Sequence, residues 1–189
     1  MADLTLENRD GLPDALRVLI DEYPREGWEK DPGFNDLIQF WLDRHLMFRR
    51  LLTKMRSGTE SVIDRKISND KFSAMVSRYG GMFVNGLHEH HTIEDTYYFP
   101  KLSQYDKRIS RGFDILDKDH HALDVHLGTF VEHANAVITR RDDAAAMHEA
   151  AGAFHSQLSG LEGFINRHLL DEEDLIVPVI LRYGAAGLG

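Results

Sequence analysis

Residues 90–94 read HHTIE, and residues 168–172 read HLLDE. In both stretches a histidine is followed by a glutamate four positions later and by a proline ten positions later, and the two copies lie 78 residues apart. Positions i and i+4 of an α-helix lie on one face, so each stretch directs an imidazole and a carboxylate toward the same point. The repeat therefore predicts two helices that carry similar half-sites.

A further histidine precedes each of these stretches. The segments LDRH at 42–45 and LDKDH at 116–120 resemble each other, with an offset of 75 between His45 and His120. The chain thus consists of two similar predicted helical hairpins, and each hairpin provides two histidines and one glutamate.

The hydrophobic pattern predicts four long helices. Apolar residues recur at alternating steps of three and four over roughly 35–57, 69–97, 110–140 and 143–175. Turn signals or prolines lie at or near the ends of these segments, at Ser57-Gly58-Thr59, Pro100 and Pro178. The candidate N-caps are Asn35, Ser68 or Asn69, Ser110, and Asp142 or Asp143. The predicted fold is all-α, an up-down-up-down antiparallel four-helix bundle.

The bundle is expected to form a single domain over residues 35–182. Residues 1–34 are predicted to be an N-terminal arm with one short helix around 12–22, and residues 183–189 a flexible tail. Trp28 and Phe34 are the candidates in this region to cover one end of the bundle.

Six ionisable residues interrupt the apolar stripes of the four helices. A buried carboxylate costs several kcal/mol unless it is paired or bound to a metal, and a purely structural network would need many satisfied partners. Imidazole and carboxylate ligands together suit iron, manganese or zinc. The predicted metal ligands are His45, His90, Glu94, His120, His168 and Glu172.

Composition excludes several other classes of function. The chain has no cysteine, which rules out disulfides, thiolate metal sites and cysteine nucleophiles. Its formal net charge is -9, with no basic footprint for nucleic acid. The first residues lack the pattern of a signal peptide, and no apolar run is long enough to span a bilayer. A cytoplasmic protein without a membrane or nucleic-acid partner is expected.

Two positions have a neighbour that competes for the same role. His120 is preferred to His121, because the stripe of His121 contains Asp124 and Gly128. Glu172 is preferred to Glu173, because both the apolar stripe and the repeat select it.

Other polar residues are candidates for contact with the ligands. His126 and Tyr97 are alternatives that would reach the metals, while His88 and His91 flank His90 and are expected on the surface or beside a ligand. Asp119 and Asp171 would either accept hydrogen bonds from ligand histidines or lie exposed on their helices.

The pattern resembles the hemerythrin family in its bacterial H–HxxxE–H–HxxxE form. The resemblance rests on the six predicted ligands and on the endings Phe99-Pro100 and Val177-Pro178, and it covers about residues 35–180. It implies a four-helix bundle with two iron ions joined by an oxo or hydroxo bridge, ahead of zinc or manganese. Glu94 and Glu172 would bridge the irons, and the four histidines would be terminal ligands.

The resemblance also limits the expected chemistry. Members of the family bind oxygen, sense oxygen or iron, decompose peroxide or act on nitric oxide. The oxygen carriers have His-x-x-x-His on the third helix and five histidine ligands, whereas Asp124 follows His120 by four positions here. A more open and more symmetric site is therefore expected, which favours redox or peroxide chemistry with O2, peroxide or NO as the small ligand.

Several alternatives stay open at this point. The first is a reversible oxygen-binding or iron- and oxygen-sensing module without turnover. Iron storage and a structural or hydrolytic zinc bundle are two others, and the sequence leaves open both enzymatic turnover and the oligomeric state, for which a homodimer is one candidate.

Overall fold

Helices and the turns between them make up the computed structural model, which describes residues 3–188 and has no strand in that range. The all-α prediction is confirmed. In chain order the α-helices are α1 (Val18–Glu22), α2 (Asp36–Ile63), α3 (Asn69–Ile93), α4 (Phe99–Leu102), α5 (Ser110–Thr139) and α6 (Ala144–Tyr183). Short 3-10 helices at Asp14–Leu16 and Arg25–Lys30 flank α1.

The predicted turn at Ser57-Gly58-Thr59 is wrong, because α2 continues through it to Ile63. Gly58 serves close packing instead. A Cβ atom at this position would collide with the Sδ and Cε atoms of Met75. In a sequence, a glycine that allows close packing cannot be distinguished from a glycine that forms a turn. The contact with Met75 shows that Gly58 is of the first kind.

The two prolines of the repeat have different structural roles. A π-helical turn, Glu94–Tyr98, follows α3, and Pro100 then lies in the first turn of α4, where its missing N–H has no helical partner to lose. Pro178 lies inside α6, which continues to Tyr183 rather than ending near 175. Tertiary packing holds α6 across this proline, because residues 175–181 are all buried.

Three of the predicted N-caps form capping hydrogen bonds, and one of them is Ser68, whose hydroxyl oxygen accepts from the amide of Lys71 at 3.4 Å. Oδ1 of Asn35 accepts from the amides of Leu37 and Ile38 at 3.1 and 3.3 Å. Oδ1 of Asp143 accepts from the amides of Ala145 and Ala146 at 2.9 and 3.0 Å. Ser110 differs from the prediction, since its hydroxyl donates to the Lys107 carbonyl.

The described chain divides into two compact units, and each of the four long helices contributes a segment to both. The first unit contains residues 3–46, 90–122 and 166–188. Its core includes Trp28 of the N-terminal arm, with Phe34 packed against it. The arm, residues 3–34, is therefore part of the core of this unit.

The second unit contains residues 47–89 and 123–165. Aromatic pairs connect its helices, with ring centroids 5.5 to 6.5 Å apart. Such pairs each add about 0.5–1.5 kcal/mol beyond their burial. The rings are those of Phe48, Phe83, Phe130, Phe154 and Phe72.

The C-terminal residues of the described chain fold back on the first unit. Tyr183 ends α6, Leu188 is buried, and the carbonyl of Gly187 accepts a hydrogen bond from Nζ of Lys101 at 2.7 Å. Residue 189 lies outside the described residues, and the flexibility of this segment stays a prediction. Among the described helices, none has the length and apolar character needed to cross a membrane.

Gly33→Ala should destabilise the protein by about 1–3 kcal/mol, the usual range for overpacking. A Cβ atom at Gly33 would lie 2.8 Å from the backbone carbonyl oxygen of Leu181, which cannot move without shifting α6. Urea unfolding measures the effect. Gly27→Ala is the matched control in the same arm, because a Cβ atom there has no neighbour within 4 Å. Equal midpoints for the two variants would contradict this packing.

Candidate metal centre

All six predicted ligands lie in the first unit and are buried, with exposed fractions of 5% or less. The histidines come from four different helices, and Glu94 opens the π-helical turn that follows α3. π-Helical turns inside helical segments are frequent at functional sites. The six ligands in chain order are His45, His90, Glu94, His120, His168 and Glu172.

The first histidine pair consists of His45 and His90, whose Nε2 atoms lie 3.0 Å apart. Oε1 of Glu94 lies 3.0 Å from Nε2 of His90, and Oε1 of Glu172 lies 3.4 Å from Nε2 of His45. One ligand atom from each of these four residues lies within 4.8 Å of the other three.

The second histidine pair consists of His120 and His168, whose Nε2 atoms lie 3.2 Å apart. Oε2 of Glu94 lies 3.7 Å from Nε2 of His120, and Oε2 of Glu172 lies 3.5 Å from Nε2 of His168. Each glutamate therefore directs one oxygen to each histidine pair. This is the arrangement that two cations with shared carboxylates require.

A fifth histidine joins the second pair. His91 is buried, and its ring stacks on that of His120 with 3.9 Å between centroids and 9° between planes. Ligand atoms of His91, His120 and His168 lie within 4.8 Å of one another. Sequence reasoning placed His91 on the surface or beside a ligand, and the structure buries it beside the predicted ligand His120.

Carboxylates orient the imidazoles from outside. An ionised carboxylate only accepts hydrogen bonds, so the Nδ1 atom that faces it carries the proton, and the lone pair on Nε2 points inward. Three Nδ1–carboxylate contacts are present, His45 to Glu173 at 2.9 Å, His120 to Asp95 at 2.7 Å and His168 to Asp119 at 3.2 Å.

Neighbouring glutamates have separate roles in this geometry. Glu172 lies between the two histidine pairs, while Glu173 contacts the outer nitrogen of His45. The indole Nε1 of Trp41 donates to Oε1 of Glu172 at 2.6 Å. Trp41 therefore fixes the carboxylate that faces both pairs.

Burial and the neighbouring charges together set the protonation of the inner groups. Burial, with the charge of Glu172 beside it, raises the pKa of Glu94 well above its usual range. Burial also lowers the pKa of His90 to about 3 and lowers that of His168. These histidines are therefore neutral near pH 7, which is the form that binds metals.

Several buried polar atoms of these side chains have no hydrogen bond, which fits bound metal ions. Buried polar atoms are normally hydrogen-bonded, and exceptions need a physical explanation. Within the described chain, five such atoms of these side chains make no hydrogen bond, namely both oxygens of Glu94, Oε2 of Glu172 and both ring nitrogens of His91. All of these atoms belong to the two clusters, and bound cations would satisfy them.

The N-terminal arm reaches the acids behind both histidine pairs. Arg9 is buried; its Nη1 donates to Asp119 at 2.7 Å, its Nη2 also contacts Asp119, and its Nε donates to Asp171 at 2.9 Å. Arg25 Nη1 donates to Oε2 of Glu173 at 2.7 Å. Each arginine thus holds an acid that in turn orients a histidine.

The Arg9 contact sets the charge of Asp119. Burial alone would raise the pKa of Asp119, but the hydrogen bonds from Arg9 and His168 outweigh burial and hold this pKa below its ordinary value. Asp119 therefore stays ionised and keeps accepting the proton of His168 Nδ1.

The remaining sequence candidates are not part of either cluster. His121 is exposed, and His126 stacks on Phe164 in the second unit with ring centroids 4.3 Å apart. The hydroxyl of Tyr97 donates to the carbonyl of Gly187 at 3.5 Å, and Lys101 lies over its ring.

Sequence reasoning missed three side chains that build the site, and it left open whether a fourth, His91, lies on the surface or beside a ligand. Trp41 lies four residues before His45 on the same helical face, and a buried indole N–H needs an acceptor, so a signal was present. His91 had only its neighbour His90 as a signal. Arg9 and Arg25 lie in an arm whose irregular structure has no periodic pattern.

An all-helical chain whose buried histidines and glutamates converge from several helices belongs to the class of helical cation-binding proteins. A sequence profile of the hemerythrin HHE cation binding domain matches residues 36–180. The chain therefore belongs to the hemerythrin family, and the resemblance is confirmed. Comparison with curated proteins and with solved structures gives no significant match.

Proposed function

We propose that this protein is a non-haem di-iron protein that reacts with peroxide, O2 or a similar small molecule at a carboxylate-bridged centre. The inward-facing nitrogens of His120 and His168 carry this proposal. Nδ1 of each ring faces a carboxylate and donates a hydrogen bond to it, so the two Nε2 lone pairs face each other at 3.2 Å. Two lone pairs at this distance repel unless they share a cation.

The residues divide naturally between two metal ions. His45 and His90 would hold one ion, His120 and His168 the other, and the glutamates Glu94 and Glu172 would bridge them. The ligand set contains imidazole and carboxylate without thiolate, which suits iron when oxygen species are handled. The helices that supply these ligands are proposed to form the up-down-up-down four-helix bundle expected from the sequence.

Burial restricts what can react. The six ligands are exposed by 5% or less, so a large substrate cannot contact them from solvent. A pair of iron ions supplies the one- and two-electron chemistry that peroxide, O2 or NO requires. The protein keeps the imidazoles oriented through the outer acids and keeps bulk water away from the centre.

Metal analysis and peroxide turnover test the proposal. Purified protein loaded with ferrous iron should retain about two iron ions per chain, and peroxide should then release gas faster than the same concentration of free iron. His45→Ala should reduce both, while His148→Ala, an exposed histidine on α6, should leave both unchanged. Protein that retains no iron, or turnover no faster than free iron, would contradict the proposed chemistry.

The cluster around His91 favours a second candidate function. Five histidines near two cations match the ligand count of the oxygen carriers more closely than four, although His91 occupies a different position from the carrier histidine. Reversible O2 binding would give a stable charge-transfer band that disappears on deoxygenation. If this band were absent and peroxide were decomposed rapidly, the result would support enzymatic turnover of peroxide rather than reversible O2 binding.

A further inference from the structure

Trp41 is a buried aromatic side chain that contacts two of the predicted ligands. Its Nε1 donates to Oε1 of Glu172 at 2.6 Å, and its ring meets that of His90 edge-on, with 6.2 Å between centroids. The exposed fraction of Trp41 is 3%. Holding a carboxylate requires only a hydrogen-bond donor, whereas the indole also brings an easily oxidised ring against the candidate metal centre.

Two tyrosines continue from Trp41 toward solvent. The ring centroid of Tyr98 lies 4.6 Å from that of Trp41, and the ring centroid of Tyr97 lies 5.1 Å from that of Tyr98. Tyr98 packs against the core of the first unit, and Tyr97 is partly exposed, with Nζ of Lys101 3.6 Å from its ring centroid. Contacting aromatic pairs have centroids about 4.5–7 Å apart, so these three rings form one continuous aromatic row.

One turn of backbone connects this aromatic row to a predicted ligand. Glu94 begins the π-helical turn, and Tyr97 and Tyr98 end it. Such turns are frequent at functional sites. The turn therefore sets the position of both tyrosines relative to the candidate metal centre.

The chemistry of the aromatic row suits the transfer of single electrons. Electron transfer through protein slows steeply with distance, so a series of short steps between touching rings is faster than one long step. Indole and phenol rings lose a single electron far more readily than the ring of phenylalanine, and the chain has no cysteine that could take this role. The row thus provides a route between the buried ligands and the surface.

We propose that Trp41, Tyr98 and Tyr97 carry electrons from a one-electron organic reductant at the surface to the metal centre. This inference rests on the proposed function, because the centre must hold a redox-active metal pair that consumes peroxide. The ligands themselves are buried, so the reductant meets the partly exposed ring of Tyr97 instead. The protein is then a peroxide reductase that oxidises an external donor.

Reduction of one peroxide to two waters breaks the O–O bond and takes up two electrons and two protons. Each electron leaves Trp41 for the centre, Tyr98 replaces it, and Tyr97 replaces that of Tyr98. Tyr97 releases its phenolic proton to solvent with its electron, and the reductant, which loses one electron and one proton, restores both. Two molecules of reductant are thus oxidised by one electron each. Without a reductant, the unpaired electron stays on Tyr97 as a neutral phenoxyl radical.

Electron paramagnetic resonance detects this radical directly. Iron-loaded wild-type protein, frozen shortly after peroxide is added without a reductant, should show an organic radical whose signal narrows when the protein contains ring-deuterated tyrosine. Tyr98→Phe keeps a ring in the row but resists oxidation, and it should lose the tyrosine signal although Tyr97 is unchanged. Tyr79→Phe is the matched control, since Nζ of Lys54 lies 5.0 Å from the ring centroid of Tyr79, and it should keep the signal.

Oxidation of ascorbate, an enediol that gives single electrons, provides a second measurement. Wild-type iron-loaded protein should oxidise ascorbate when peroxide is present, and Tyr97→Phe and Tyr98→Phe should oxidise it no faster than iron-free protein. The iron content of both variants should equal that of wild type, which separates loss of the route from loss of the centre.

Two results would overturn the electron route. One is an unchanged radical and unchanged ascorbate oxidation in Tyr98→Phe, and the other is wild-type protein that consumes peroxide without forming a tyrosine radical. Wild-type protein that retains no iron or consumes no peroxide would instead overturn the proposed function together with this inference.

Discussion

Arg9→Met should lower the free energy of unfolding by about 3–5 kcal/mol, the cost of removing one partner from a buried ion pair. The side chain of Arg9 is 2% exposed, and those of Asp119 and Asp171 are 3% and 2% exposed. Methionine matches the length of the arginine stem but leaves the two carboxylates without their shared cation. Asp171 keeps its hydrogen bond with Arg167. Asp119 therefore loses the larger share of its compensating positive charge.

The same change should weaken the metal centre. Asp119 accepts the proton of Nδ1 of His168, and loss of such an outer contact typically costs about 10–100-fold in metal affinity. Denaturant unfolding of the metal-free protein measures the stability effect, and Co(II) titration measures the affinity. Both effects share one cause, since the acid that balances Arg9 also orients a ligand.

Arg17→Met is the matched control for this prediction. Arg17 lies in the same arm, but it is 41% exposed and its contact with Asp174 is 3.5 Å long. Exposed ion pairs contribute about 0–1 kcal/mol, so this variant should unfold close to wild type. Equal losses in the two variants would show that the arm, rather than the buried guanidinium, determines the stability.

The arm therefore belongs to the centre as well as to the core. Arg9 reaches the acid behind His168, and Arg25 reaches the acid behind His45. In each histidine pair, one histidine thus contacts an acid that is held by an arginine of the arm. The arm, from which the sequence suggested only Trp28 and Phe34 as a cover for one end of the bundle, also orients two of the predicted ligands through Arg9 and Arg25.

The burial of the six predicted ligands could be foreseen from the sequence because helical periodicity determines which side chains face inward. His45, His90 and His168 each continue an apolar stripe, and an ionisable residue in such a stripe is conspicuous. The same reasoning separated Glu172 from Glu173, whose carboxylate contacts an outer nitrogen instead.

The burial of His91 could not be predicted in this way, because periodicity assigns one inward position per helical turn. His90 already occupied that position, and the sequence gives no sign of the π-helical turn that begins at Glu94. Gly58 and Pro178 were also misjudged, since both are helix breakers by propensity that tertiary packing overrides. Arg9 and Arg25 could not be placed, because an arm without periodic structure reveals its partners only through three-dimensional contacts.

Glu94→Gln should remove metal binding while leaving the metal-free fold intact. Glu94 directs one oxygen to each histidine pair. Loss of its charge and of one oxygen should therefore lower the affinity for both cations by more than about 100-fold. Without a cation, burial and the charge of Glu172 raise the pKa of Glu94, so its carboxyl group is protonated. A neutral amide of similar shape then replaces a neutral acid, and the change in unfolding free energy should stay within about 1 kcal/mol.

Two measurements on the same protein separate these effects. Iron content and Co(II) titration report metal binding, and urea unfolding in the presence of a chelator reports the metal-free fold. Glu89→Gln is the matched control on α3, because that glutamate is exposed one residue before His90; it should bind metal as wild type does. If Glu94→Gln retained both ions at wild-type affinity, Glu94 would not bridge them, and the two histidine pairs would have to hold their cations independently.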